Sequence, residues 1–219
     1  MDKKCHVERE KAMNVDRVIT EFDKGLRTLL APAHSIRPHP DAHLVDAPLS
    51  ESERSHVIGL MRINHCGEVC AQALYQGQAL TARNPEARQA LEHAAQEETE
   101  HLAWTEKRIR ELGGRTSVFN PLWYVGSLAI GVGAGILGDK WNLGFLEETE
   151  YQVEAHLNEH LASLPAQDEK SRAILTQMRE DEVKHAEMAH SYGAAALPAP
   201  IKGIMHITAK LMKQASYRG

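Results

Sequence analysis

The tetrapeptide Glu98-Thr99-Glu100-His101 holds a glutamate and a histidine three positions apart, and the same pattern returns at Glu182-Val183-Lys184-His185. Side chains with this spacing lie on one face of an α-helix, so each copy can direct a carboxylate and an imidazole to one point. Each copy also has a lone glutamate about 30 residues upstream, Glu68 or Glu150. Four carboxylates and two imidazoles on four helices are the ligand set of a di-iron or di-manganese carboxylate centre in a four-helix bundle.

The composition favours a single helical domain. The chain has 219 residues, with 5% aromatic residues, 15 glycines and 9 prolines, and its common residues, Ala, Leu and Glu, favour helix over strand. A net charge of −5 without a long basic run argues against nucleic-acid binding. Three cysteines do not suggest a disulfide framework, which fits a reducing cytosolic setting. We expect no secretory leader, because no apolar run follows the first charges.

Capping signals and helical periodicity place four long helices. Ser50 and Glu53 form a capping box, Asn84-Pro85 supplies an N-cap and a first-turn proline, and Asn142 is a further predicted N-cap. The helices are predicted over about residues 50–83, 85–112, 142–164 and 168–192. Two antiparallel pairs joined by roughly 30 residues predict a ferritin-like four-helix bundle with one long crossover and additional short helices.

An N-terminal segment, residues 1–49, is predicted to precede the di-iron domain of residues 50–219. Residues 1–14 have no periodicity and are expected to be disordered or loosely docked, whereas a short helix is predicted over about residues 16–30. The stretch from Pro32 to Pro48 contains four prolines and three histidines and is predicted to be an extended linker. Proline restricts a shared metal geometry there, so a solvated loop is the favoured interpretation of its histidines. These are His34, His39 and His43.

The charge of the candidate ligands calls for cations. Burying each carboxylate unpaired would cost several kcal/mol, whereas two divalent irons balance four negative charges with both histidines neutral. Oxygen and imidazole donors without a thiolate suit two iron ions, with manganese as the less favoured choice. Glu68 and Glu150 are assigned as terminal ligands, Glu98 and Glu182 as bridges, and one imidazole belongs to each iron. The six predicted ligands are Glu68, Glu98, His101, Glu150, Glu182 and His185.

Each ligand imidazole needs a partner for its second ring nitrogen. As a hypothesis, Asp181 serves His101 and Glu97 serves His185, because each of these acids precedes a bridging glutamate across the site. Plain surface charges are an equal alternative for both. Helical spacing places most other glutamates off the apolar stripes, and surface positions are therefore expected for Glu100, Glu147, Glu148, Glu154 and Glu159.

Several other residues resemble functional motifs but are predicted to have structural roles. His156 follows Glu150 by six positions, which rotates it about 240° away on a helix, so it is not assigned as a ligand. Cys66 and Cys70 are assigned to helix packing. The run 133–138 matches the dinucleotide fingerprint GxGxxG, but no alternation of strands and helices surrounds it. Its glycines favour close packing instead.

Two segments suggest contact with a membrane. Residues 122–138 form 17 residues without a charge, whereas a transmembrane helix needs about 20 apolar residues. This segment also contains five glycines, so we expect it to lie in the membrane interface or to line an apolar cavity. Residues 201–218 are predicted to form a short basic amphipathic helix, which could contact anionic lipid or pack on the bundle.

The run Arg62-Ile63-Asn64-His65-Cys66-Gly67-Glu68, both Glu-x-x-His motifs and Thr149-Glu150 resemble the demethoxyubiquinone hydroxylase family. These proteins are the di-iron monooxygenases of ubiquinone biosynthesis, and the resemblance covers about residues 50–217. It implies the same six ligands, a polyprenylated methoxy-methyl-benzoquinol substrate, O₂ as oxidant and peripheral attachment to the cytoplasmic face of the cell membrane. Electrons are expected from NADH or from the quinol itself, and other ubiquinone-biosynthesis proteins are candidate partners.

Two alternative functions stay open at this point. A ferritin-like iron-oxidising or peroxide-scavenging protein would use the same ligands without an organic substrate, but it would leave the apolar segment 122–138 unexplained. A non-catalytic, membrane-associated helical scaffold that binds quinones or lipids would leave the repeated ligand pattern unexplained. Iron analysis separates the scaffold from the other two, and product analysis separates the hydroxylase from the iron oxidiser.

Overall fold

The computed structural model describes residue 16 and residues 19–219, and within this part of the chain it contains helices and loops but no β-strand. The prediction of an all-α protein is confirmed. The predicted disorder of residues 1–14 concerns residues outside the described part. The helices are α1 (residues 19–30), α2 (Glu51–Thr81), α3 (Pro85–Glu111), α4 (Asn120–Ile136), α5 (Asp139–Ser163), α6 (Glu169–Ser191) and α7 (Ala199–Arg218).

Local sequence explains where three of the long helices begin. The Ser50 hydroxyl accepts a hydrogen bond from the Glu53 amide while the Glu53 carboxylate accepts from the Ser50 amide, so the predicted capping box is present. The Asn84 side chain caps α3 ahead of its proline, and the Asp168 carboxylate caps α6 by accepting from the Ser171 amide. Each cap satisfies backbone N–H groups that the first turn of a helix leaves unpaired.

The four long helices form the predicted bundle. Only residues 82–84 separate α2 from α3 and only 164–168 separate α5 from α6, so each pair runs antiparallel, and the pairs meet through α2 with α5 and α3 with α6. One apolar cluster, which includes Trp104 and Leu157, fills the end where α2 begins. A second cluster, which includes Leu91 and Leu146, fills the opposite end. The layer of the bundle between these two apolar clusters contains polar side chains.

The crossover between the two pairs contains α4, which lies along α2. A Cβ atom at Gly131 would collide with the carbonyl oxygen of Leu74, so the two backbones approach as closely as only glycine allows. The outer face of α4 is apolar and exposed, with Leu122 and Val125 each 64% exposed and Ile136 60%. Among the described residues, no helix combines the length and apolarity needed to cross a membrane.

The structure differs from the predicted boundaries at two helices. α5 begins at Asp139, and Asn142 is not its N-cap: it lies buried inside the first turn and exchanges hydrogen bonds with Gln78 of α2. Gly138, whose φ of 105° suits only glycine, turns the chain directly from α4 into α5. The C-terminal helix α7 begins at Ala199, two residues earlier than predicted, and it packs on α2 and α5.

Candidate metal centre

The structure places the six predicted ligands together in the polar layer between the two apolar clusters. Their potential ligand atoms form two groups, and within each group the atoms lie within 4.8 Å of one another. Glu98 and Glu182 belong to both groups, which is the arrangement expected for bridging carboxylates. The first group is Glu68, Glu98, His101 and Glu182, and the second is Glu98, Glu150, Glu182 and His185.

Both imidazoles present the same ring nitrogen to the centre of the bundle. Nδ1 of His101 lies 3.0 Å from Glu98 Oε2 and 3.3 Å from Glu182 Oε1. Nδ1 of His185 lies 3.1 Å from Glu182 Oε2 and 3.5 Å from Glu150 Oε1. The two histidines therefore have equivalent surroundings, as the repeat of their motif suggests.

The second ring nitrogen of each ligand histidine, Nε2, contacts the acid that the sequence hypothesis assigns to it. Nε2 of His101 lies 3.4 Å from Asp181 Oδ2, and Nε2 of His185 lies 2.8 Å from Glu97 Oε2. A carboxylate on Nε2 favours the tautomer that carries its proton there, which leaves Nδ1 free to bind a metal. The predicted contacts are present in the structure.

Two carboxylate oxygens inside the site have no hydrogen-bond donor in the described part of the chain. Glu98 Oε1 and Glu182 Oε1 are buried and accept no hydrogen bond from any described residue. Burial and the nearby Glu182 raise the pKa of Glu150 to about 8, and burial with Glu182 and Glu68 raises that of Glu98 well above its usual range. Carboxylates in this state gain most from a nearby cation.

Tyr75 of α2 also contacts a predicted ligand, a role that the sequence analysis did not foresee. Its hydroxyl donates a short hydrogen bond to Glu150 Oε1, and the whole side chain is buried. Tyr75 lies seven residues after Glu68, which is two helical turns along the same face. That spacing is visible in the sequence, but a tyrosine on the buried face of a helix is equally typical of core packing.

The predicted linker packs on the bundle beside the site. We call residues 33–46 the strap. Glu100, predicted to be a surface charge, is only 3% exposed because its carboxylate accepts hydrogen bonds from the Ser35 hydroxyl and from the amides of Ile36 and Arg37. That prediction was wrong, since the partners of Glu100 come from a segment more than 60 positions away that helical spacing cannot reveal.

The other described histidines and the glycine-rich run belong to neither ligand group. His156 and His160 are buried, and burial lowers their pKa values to about 4 and about 3. His160 Nδ1 lies 3.0 Å from Asn64 Oδ1, and neither histidine belongs to the two ligand groups. The strap histidines also belong to neither group, and the GxGxxG run lies within α4 and the turn that follows it.

Comparison with known proteins gives a consistent result. Residues 55–216 match the family model described as Ubiquinone biosynthesis protein COQ7. The chain is 72% identical over 203 residues to the 3-demethoxyubiquinol 3-hydroxylase of Laribacter hongkongensis, covering 93% of this chain and 98% of the relative. It is 69% identical over 204 residues to the enzyme of the same name from Chromobacterium violaceum, covering 93% of this chain and 99% of the relative. A third relative of that name, from Dechloromonas aromatica, is 65% identical over 206 residues, with 94% and 100% covered.

Proposed function

Because this chain belongs to the COQ7 family of ubiquinone biosynthesis proteins, we propose that it hydroxylates the ring of a polyprenylated demethoxyubiquinol with O₂ at a di-iron centre. The observation that carries the proposal is the pair of buried ligand groups that share Glu98 and Glu182. Its relatives bear the name of a hydroxylating oxidoreductase, and the chain is an enzyme of that class.

The six side chains fit two iron ions. One ion would be held by Glu68 and His101, and the other ion by Glu150 and His185. Glu98 and Glu182 would contribute to the binding of both ions. Carboxylate oxygens and imidazole nitrogens without a thiolate suit iron, or manganese, better than structural zinc. The buried oxygens of Glu98 and Glu182 that accept no hydrogen bond would gain partners. When bound, two ferrous ions supply the two-electron reduction of O₂ that ring hydroxylation requires.

The protein contributes positioning and shielding. The apolar clusters at both ends of the bundle exclude water from the polar layer, which strengthens electrostatic interactions inside it. Asp181 and Glu97 hold the two imidazoles in the tautomer that leaves Nδ1 free. Tyr75 holds the Glu150 carboxylate through its hydroxyl. Each of these groups fixes a ligand before a metal arrives.

The outer face of α4 suits a substrate with a long apolar tail. Its exposed large apolar residues lie on the side of α4 that faces away from α2, and the helix carries no charge. A helix of this kind can lie in the bilayer interface without crossing it. We therefore propose that the enzyme attaches to the membrane surface as a peripheral protein, and the family resemblance implies the cytoplasmic face. The exposed apolar residues Leu122, Val125, Ile130, Ile136 and Leu137 are called the α4 stripe below.

Isotope labelling tests the reaction. The purified protein is loaded anaerobically with Fe(II), mixed with a demethoxyquinol and exposed to ¹⁸O₂, with NADH supplied in one arm and excess quinol in the other. We expect two irons per chain and one ¹⁸O atom on the ring by mass spectrometry. Rapid iron oxidation without labelled product in either arm would favour the ferritin-like alternative, and a chain that binds no iron would favour the scaffold.

A pair of matched variants on α5 tests the site. Glu150→Gln should lose iron and product, because the amide cannot supply the negative charge of a terminal ligand. Glu159→Gln is the control, since Glu159 is an exposed carboxylate on the same helix whose ion-pair partner, Lys213, lies 3.9 Å away. Full activity of Glu150→Gln, or equal losses in both variants, would contradict the assignment.

A further inference from the structure

The two carboxylates that hold the ligand histidines share one cation. Nη1 of Arg37 lies 2.9 Å from Asp181 Oδ2 and 3.9 Å from Glu97 Oε1. Asp181 in turn lies against His101 and Glu97 against His185. One guanidinium therefore stands behind both imidazoles of the candidate centre. We propose that Arg37 is a positioning residue for the metal centre, which fixes Asp181 and Glu97 in the orientation that aims both Nδ1 atoms at the metals.

The structure fixes Arg37 itself on several sides. Its guanidinium carbon lies 5.0 Å from the ring centre of Trp104, which is fully buried. The Trp104 and His101 ring centres lie 5.3 Å apart, with the ring planes tilted by 45°. The backbone amide of Arg37 donates a hydrogen bond to the buried carboxylate of Glu100. The Trp104 ring and the backbone hydrogen bond restrict the conformations of Arg37, so little conformational entropy is lost when its guanidinium orients a carboxylate.

The Arg37 guanidinium compensates the negative charges of two carboxylates. Asp181 and Glu97 come from different helices, and Arg37 has a carboxylate oxygen of each within ion-pair distance. Lys184 and Gln177 bind the other oxygen of Asp181, so Arg37 is the group that engages the oxygen facing His101. Without Arg37, Asp181 Oδ2 could turn toward water and the His101 tautomer would no longer be fixed.

The inference rests on the proposed di-iron function, and the test separates the two. The full-length protein is loaded with Fe(II) under anaerobic conditions, and the rate of iron release to a ferrous chelator is measured. Loss of one supporting partner of a metal ligand typically weakens metal binding by about 10- to 100-fold. Because Arg37 acts one contact further out, we expect Arg37→Gln to release iron about tenfold faster than the wild type, at the lower end of that range.

Two further variants distinguish positioning from docking of the strap. Arg37→Lys keeps the charge but not the planar group on Trp104, so its release rate should fall between those of the wild type and Arg37→Gln. Asp41→Asn breaks the 2.9 Å ion pair that ties the strap to Lys107 of α3 without touching Asp181 or Glu97. It should retain iron within about twofold of the wild type, since the partners of both imidazoles remain, while its melting temperature falls.

The coupling between these residues supplies an independent readout. In a Glu97→Gln/Asp181→Asn background, Arg37→Gln should cause no further loss of iron, because the groups through which it acts are already neutral. Equal iron release by Arg37→Gln and wild type, an equal loss in Asp41→Asn, or an additive loss in the triple variant would overturn the inference. Should Arg37→Gln fail to fold, Arg37→Lys carries the test, and release at the wild-type rate refutes it. A wild-type protein that binds no iron refutes the proposed function instead.

Discussion

Polar substitutions in the α4 stripe should weaken binding of the protein to lipid without disturbing its fold. Leu122→Ser and Val125→Ser are the suitable changes, because each of these residues is 64% exposed and so contributes little to the core. They lie one turn apart on the outer face of α4, and α4 is held to α2 from its opposite side. The double variant should therefore keep the melting temperature of the wild type.

The expected loss of affinity follows from the exposed area. Full burial of a large aliphatic side chain is worth about 1.5–3 kcal/mol, so two-thirds of that, about 1–2 kcal/mol per residue, is available on contact with a bilayer. Two substitutions forfeit about 2–4 kcal/mol when the stripe inserts fully. At about 1.4 kcal/mol per tenfold, the lower value corresponds to roughly 30-fold weaker binding.

Sedimentation with vesicles measures this loss. The variant and the wild type are titrated with vesicles of mixed zwitterionic and anionic phospholipid, and the bound fraction is determined. Ile36→Ser/Val45→Ser is the matched control, since these strap residues are 87% and 88% exposed but lie beside α3 rather than on α4. Unchanged binding of the α4 variant, or an equal loss in the strap control, would refute the assignment of this stripe to the membrane.

Three further predictions address packing, ligand support and acid stability. Gly131→Ala should destabilise the protein by about 1–3 kcal/mol in denaturant unfolding because the added methyl meets Leu74, whereas Gly133→Ala, with open space around it, should not. Tyr75→Phe should weaken iron binding by about tenfold or more in a chelator competition, because Glu150 loses its hydroxyl donor, and Tyr151→Phe on the exposed face should leave it unchanged. His156→Gln should lose less stability than the wild type between pH 7 and pH 4.5. Burial lowers the pKa of His156 from 6.5 to about 4, so in that range the unfolded chain takes up a proton that the folded chain does not. The difference should be about 2 kcal/mol, and parallel pH profiles would contradict it.

The sequence predicts the structure correctly where residues within one or two helical turns determine it. The spacing within Glu98 to His101 and Glu182 to His185 follows the helical repeat, so the helix itself brings each pair together. The caps at Ser50 and Asn84 likewise depend on residues within one turn. These signals fixed the bundle and the six candidate ligands without knowledge of tertiary contacts.

Helical spacing does not predict contacts between segments that are distant in the sequence. Arg37 and Asp181 are 144 positions apart, and their ion pair exists only because the strap crosses the gap between α3 and α6. A proline-rich stretch has no period that would indicate which helices it touches. The same limit explains the error at Glu100, whose burial depends on the strap, and at Asn142, whose partner Gln78 lies on another helix.

The charges of the candidate centre distinguish it from an ordinary buried polar network. Arg108 is also buried, yet all three of its side-chain nitrogens have partners, among them the carboxylates of Asp46, Asp168 and Glu111. The four glutamates of the centre meet no lysine or arginine within ion-pair distance in the described part of the chain. A structural network places a cation among its acids, because isolated buried charges are costly. In this site the Arg37 guanidinium instead lies one contact behind the imidazoles, which leaves the space among the glutamates for cations that the protein does not supply.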